Sequence, residues 1–184
     1  PYRRNPWLAE RAKERVVAAE AAVVANQTKV TTSDTALKET QQKVVALNEA
    51  IKKIGEELAT YATQQQKLRD DFAKAVGDQK ASLEALAKAQ TLLTGIKAAD
   101  TSTPEELAAA LTALKEASTA TEDAAKKVEA VNTSAAALAK QVADVKEMEA
   151  TKTKEKVAAE TDVAARMKDV ETAQAALTAA QKEV

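Results

Sequence analysis

The chain has 184 residues, of which 45% are hydrophobic and 30% charged, with a formal net charge of −1 and neither cysteine nor histidine. Those two absences exclude thiol nucleophiles, Cys/His zinc or haem sites and imidazole acid–base chemistry, and near-neutrality removes any strong global field toward nucleic acid or anionic lipid. About a quarter of the residues are Ala, aromatics are 2%, and Gly and Pro number three each, so core-filling side chains and turn-makers are both scarce. This is the composition of long helices or coiled coils.

In chain order, residues 1–5 form an N-terminal extension. Asn5 followed by Pro6 reads as an N-cap and first helical residue, starting helix 1 over 6–98. The opening segment differs from the rest: it holds the only Trp and four of the six Arg. Arg makes planar bidentate contacts and stacks on aromatics, so Tyr2, Arg3, Arg4, Trp7, Arg11 and Arg15 are candidates for contact with a protein surface or a lipid interface. The plainer reading is that Trp7 anchors the helix start and the arginines are solvated. The chain opens on Pro1 rather than Met, which leads us to expect a processed product or a piece of something longer. There is no run of about 18 apolar residues and no signal-peptide pattern.

From Val16 the apolar residues fall into a heptad register. One row holds Val16, Val23, Val30, Leu37, Val44, Ile51, Leu58, Gln65 and Phe72, and the other Ala19, Asn26, Ser33, Thr40, Leu47, Ile54, Tyr61, Leu68 and Ala75. The Thr-rich run 31–35 is poor in helix propensity, yet the register crosses it unchanged. Asn26, Ser33, Thr40 and Gln65 at seam positions either fix register and partner choice or are defects that a long weak coil tolerates. Near Gly77 the spacing Leu68, Phe72, Val76, Gln79, Leu83 and Leu86 predicts a four-residue stutter with a kink at Gly77-Asp78. Gly95 reads as a candidate C-cap.

Residues 99–103 form a turn. Asp100 opens it; Thr103, Pro104 and Glu106 supply an N-cap, a first-position proline and a capping box, so helix 2 runs over 104–184. Its expected seam is Leu107, Leu111, Leu114, Thr121, Ala124, Val128, Val131, Ala135, Leu138, Val142 and Val145. Between Glu149 and Asp162 the stripe nearly vanishes, Val157 being its only large aliphatic, and it resumes at Val163, Met167, Val170, Leu177 and Val184.

Two helices joined by so short a turn run antiparallel. Residues 1–100 carry 16 Lys and Arg against 13 Asp and Glu (net +3), and residues 101–184 carry 11 against 15 (net −4), a weak complementarity between the arms. The expected fold is all-α: a long antiparallel two-helix hairpin, coiled-coil-like and on the order of 140 Å long at about 1.5 Å per residue, with dimerisation into a four-helix bundle covering apolar positions the seam does not use. The alternative is a compact three- to five-helix bundle broken near Ser33, Gly77 or Asn132.

The adjacent carboxylates Glu56-Glu57, Asp70-Asp71, Glu105-Glu106 and Glu122-Asp123 diverge by about 100° on a helix, so none makes a paired site. No phosphate loop, nucleophile elbow or EF-hand pattern occurs. Alanine-rich scaffold and stalk segments resemble the whole chain, and desiccation-protection proteins resemble its final third, with Ala159-Glu160-Thr161 and Ala173-Gln174-Ala175-Ala176. The functional expectation is a non-enzymatic scaffold or assembly protein, without cofactor or metal, acting through a protein partner or self-association. The alternatives are a membrane-surface or other surface-binding protein anchored by the basic aromatic N-terminus and a hydration-protective helix former. Nucleic acid is not an expected partner.

Overall fold

The computed structural model describes residues 6–99 and 101–183. Tyr2, Arg3, Arg4 and Asn5, the turn residue Asp100 and the terminal Val184 lie outside them. Two helices account for nearly every described residue, α1 over Pro6–Ala98 and α2 over Pro104–Glu183, and they pack against each other as an antiparallel hairpin.

The turn follows the chemistry of its side chains. The Glu106 N–H donates to Thr103 Oγ1 (3.2 Å) and the Thr103 N–H donates to Glu106 Oε2 (2.9 Å), a reciprocal capping box. The Leu107 N–H then closes the first helical bond on the Thr103 carbonyl at 3.1 Å. Ser102 Oγ satisfies the end of α1, donating to the carbonyls of Ile96 and Ala99. Gly95 does not cap α1. The helix continues past it to Ala98 and no glycine adopts positive φ, because Ser102 serves the carbonyls a left-handed cap would otherwise leave to the backbone.

Neither polar run breaks its helix. Thr28, Thr31, Thr32 and Thr35 each donate Oγ1 to the carbonyl four residues back, at 2.9–3.1 Å. Thr133 and Ser134 do the same at 3.0 Å. A hydroxyl bonded this way shares a carbonyl that already serves the helix ladder and does not draw the backbone into a non-helical turn, so these runs stay helical despite their low propensity.

The chain divides into two compact units: one pairs residues 1–54 with 148–184, and the other, 55–147, contains the turn. In the turn unit the inward positions of α1 are Leu58, Tyr61, Gln65, Leu68, Ala75, Gln79, Ser82, Leu86, Ala89, Leu93 and Ile96. Their steps are three and four throughout, apart from one of seven that passes over Phe72, which stands on the same heptad row but is exposed. The stutter and kink expected at Gly77 are therefore absent: the register passes through the small and polar Ala75, Gln79 and Ser82, while Val76 and Leu83, one residue along, are exposed. Nothing approaches the open side of Gly77 within 4 Å, so it marks neither a close contact nor a bend. On α2 the same unit buries Ala110, Ala124, Leu138 and Val145, with Leu107, Leu114, Thr121, Val128, Val131 and Val142 half-buried. Leu111 is not a seam residue. It is 48% exposed, and Ala110 beside it, at 2%, occupies the seam.

In the terminal unit Val30, Leu47 and Ile54 are buried on α1, flanked by half-buried Val23, Leu37, Val44 and Ile51. On α2 the register does not lapse after Glu149. It continues as Glu149, Lys152, Lys156, Ala159, Val163, Arg166, Val170, Ala173, Leu177 and Ala180. Val157 and Met167, expected in the seam, are exposed instead. Heptad spacing outranks residue size because an apolar side chain one position off faces roughly 100° away from the partner helix. Half of the buried residues are alanines, which bring the helices close but bury little area each, so the larger seam residues supply most of the apolar stabilisation.

Candidate interaction surfaces

Three places concentrate unusual side chains. At the start of α1, Arg11 Cζ lies 4.7 Å from the centre of the Trp7 ring, a cation–π pair one helical turn apart. Trp7 is 55% exposed and Leu8 beside it is also exposed. Arg15 lies in a separate shallow cleft with Ala12, Val16, Ala19 and Glu183. Of the six N-terminal candidates, then, Trp7 and Arg11 are joined directly, Arg15 stands apart, and Tyr2, Arg3 and Arg4 are outside the described residues.

In the turn unit a groove of about 300 Å³ opens along the seam, walled by Gln65, Leu68, Arg69 and Phe72 of α1 and by Val131, Asn132, Ala135 and Leu138 of α2. It exists because the large Phe72 and the small Ala135 occupy nearby seam positions. Phe72 cannot be covered by a methyl group, and it remains 40% exposed although it stands in the heptad row. Sequence reading placed Phe72 in the seam but missed the groove. The available signal was the size mismatch between the one phenylalanine and the alanines of the facing helix.

In the terminal unit the seam itself carries charge. Lys152 pairs with Glu155 at 2.9 Å, Lys156 with Glu160 at 3.6 Å, and Arg166 Nε approaches Asp162 Oδ1 at 3.4 Å. That Nε is buried and its approach to Asp162 is an ion pair without a hydrogen bond. Thr40 Oγ1, which donates to the Ala36 carbonyl at 2.9 Å, also lies 3.5 Å from Asp162 Oδ2 across the seam. Thr40 thus sets one of the polar seam positions of α1 beside an ion pair on α2. Arg166 escaped sequence reading because its apolar neighbour Met167 drew the stripe.

The adjacent carboxylates serve locally. Glu57 accepts from the Tyr61 hydroxyl at 2.6 Å, Asp70 accepts from Gln66 Nε2 at 3.0 Å, Glu106 caps α2, and Asp123 pairs with Lys126 at 3.7 Å. The bond to Glu57, with lesser contributions from desolvation and from the carboxylate charge, raises the Tyr61 phenol above its ordinary value. Among the described residues no three acidic groups cluster to hold a metal ion, and no helix is long and apolar enough to cross a membrane. No known family's model matches the chain, and no characterised protein aligns with it as a relative.

Proposed function

We propose that the protein is a non-enzymatic assembly element, a helical hairpin that holds protein-binding surfaces on a continuous helical support. The observation that carries this reading is the placement of large apolar side chains off the seam. Val76, Leu83, Leu92 and Leu111 in the turn unit, and Val17, Val24, Val45 and Val157 in the terminal unit, are exposed although the register leaves alanines inside. A hairpin selected only to fold would gain more by exchanging them with the buried alanines. Exposed apolar groups at fixed positions on a helix suit recognition of another protein.

The test is site-specific photo-crosslinking in the source cells, with the reactive group at Leu83 or at Trp7 and a control at the charged position Lys126. The expected result is discrete protein adducts from Leu83, Trp7 or both, and none from Lys126. Absence of adducts from both positions contradicts the reading.

The exposed Trp7–Arg11 pair supports a second reading, attachment to a lipid surface, since indole and guanidinium groups suit the headgroup layer. Co-sedimentation with anionic vesicles that Trp7→Ala/Arg11→Glu abolishes would support it. Wild-type protein left in the supernatant excludes it.

A further inference from the structure

The groove in the turn unit opens on one side of the hairpin, marked by Arg69 on α1 and Asn132 on α2. Val76 and Leu83 follow Arg69 at heptad spacing, and Leu111 lies on the heptad row of Asn132, so they share that side. With Phe72 at the groove mouth, four of the five exposed large hydrophobics of this unit, Leu92 being the fifth, gather there. The opposite side of α1 is heavily charged, with Glu57, Lys67, Asp71, Lys74, Asp78 and Lys88. An apolar face of this kind suits an occupant, and the charges nearest its centre bear on which.

Arg69 and Lys80 lie on the α1 half of the face and Glu122 and Glu129 on the α2 half, these four near its centre, with Lys97 and Lys115 on the same rows closer to the turn. None of the four has an ion pair or side-chain hydrogen bond among the described residues. We propose that the occupant is a second copy of this chain, related by a two-fold axis running along the hairpin, so that α1 of each copy lies over α2 of the other. The groove is lined by Gln65, Leu68 and Phe72 of α1 and by Leu138, Ala135 and Val131 of α2; taken in antiparallel order these set Leu68 level with Ala135 and Phe72 with Val131, and one heptad toward the turn Gln79 with Ala124. In the paired copies Lys80 therefore stands opposite Glu122 of the second copy, and Arg69, level with Ser134, falls about one and a half helical turns from Glu129. Phe72 meets the α2 wall of the second copy's groove at Val131 and Ala135, where the small residue leaves room for the ring. Each contact occurs twice, as a two-fold interface requires. The proposal deepens the assembly reading and rests on it, naming the partner for this one surface.

Sedimentation equilibrium of the full chain tests the pairing. The expected result is a dimer whose dissociation constant rises with salt. Lys80→Glu should weaken it about tenfold or more, because the reversed charge acts twice, and Lys80→Glu/Glu122→Lys should restore it to within about threefold. Leu83→Lys, at an exposed position that does not support the fold, should also weaken it. Circular dichroism should show unchanged helicity in all these variants. The chain has no cysteine, so mild oxidation of an equimolar mixture of Lys80→Cys and Glu122→Cys chains should give the mixed disulfide in preference to either symmetric one. A wild-type chain that is fully helical but monomeric at hundreds of micromolar overturns the proposal, as does a charge swap that fails to restore pairing. If that monomer still forms adducts from Leu83 in cells, the second copy is excluded while the assembly reading stands; if it forms none from Leu83 or Trp7, both fail.

Discussion

Residue identity acts through hydrogen-bond partners at short range in this molecule. Hydroxyls of Thr and Ser return to the carbonyl four residues back within polar runs that stay helical, and Ser102, Thr103 and Glu106 define the turn. The ionisation of Tyr61 is coupled to its neighbour. Its hydroxyl donates to Glu57, and the neutral phenol is favoured in the folded state. A folded value above the unfolded one means that this contribution is present below the unfolded value, near 10, and is lost as pH rises through the folded value. In a Tyr2→Phe background, absorbance at 295 nm should titrate with a midpoint above 10, and Glu57→Ala should return it to about 10. An unshifted midpoint before the Glu57 substitution would mean the hydrogen bond does not persist in solution.

For the elements, helix existence and most of the seam were legible in the sequence, because heptad spacing and scarce breakers leave few alternatives. What remained hidden was which residue of an adjacent pair faces inward. Leu111 over Ala110, Met167 over Arg166 and Leu83 over Ser82 are the same error: size suggested one residue and register selected its neighbour. The stutter expected at Gly77 arose from that error too, and so did the apparent gap after Glu149, where Lys152, Lys156 and Arg166 hold seam positions. Long basic side chains fill such positions because their methylene stems lie along apolar surface while the charge reaches solvent. The groove at Phe72 could not be read at all without knowing which residues of α2 stand level with it. Because Lys156 is a half-buried seam residue whose ion pair to Glu160 is solvent-accessible, Lys156→Leu should exchange a weak pair for apolar burial. We expect stabilisation of about 1–2 kcal/mol in urea unfolding. Destabilisation would place Lys156 outside the seam.

At the scale of the whole molecule, α1 packs antiparallel against α2 within each unit, and neither helix breaks at Ser33, Gly77 or Asn132. The alanine-rich line of burial leaves large apolar residues outside, and the proposed assembly role depends on that arrangement. The uninterrupted register is therefore the claim on which the rest depends. Its most direct test is a pair of cysteine variants close to the turn. Leu93 and Ala110 are both buried and face each other if the register runs unchanged through Gly77. Leu93→Cys/Ala110→Cys should form an intramolecular disulfide rapidly under mild oxidation with helicity retained, and Leu93→Cys/Leu111→Cys should form it slowly or not at all. Faster closure through position 111 than through position 110 would contradict the register.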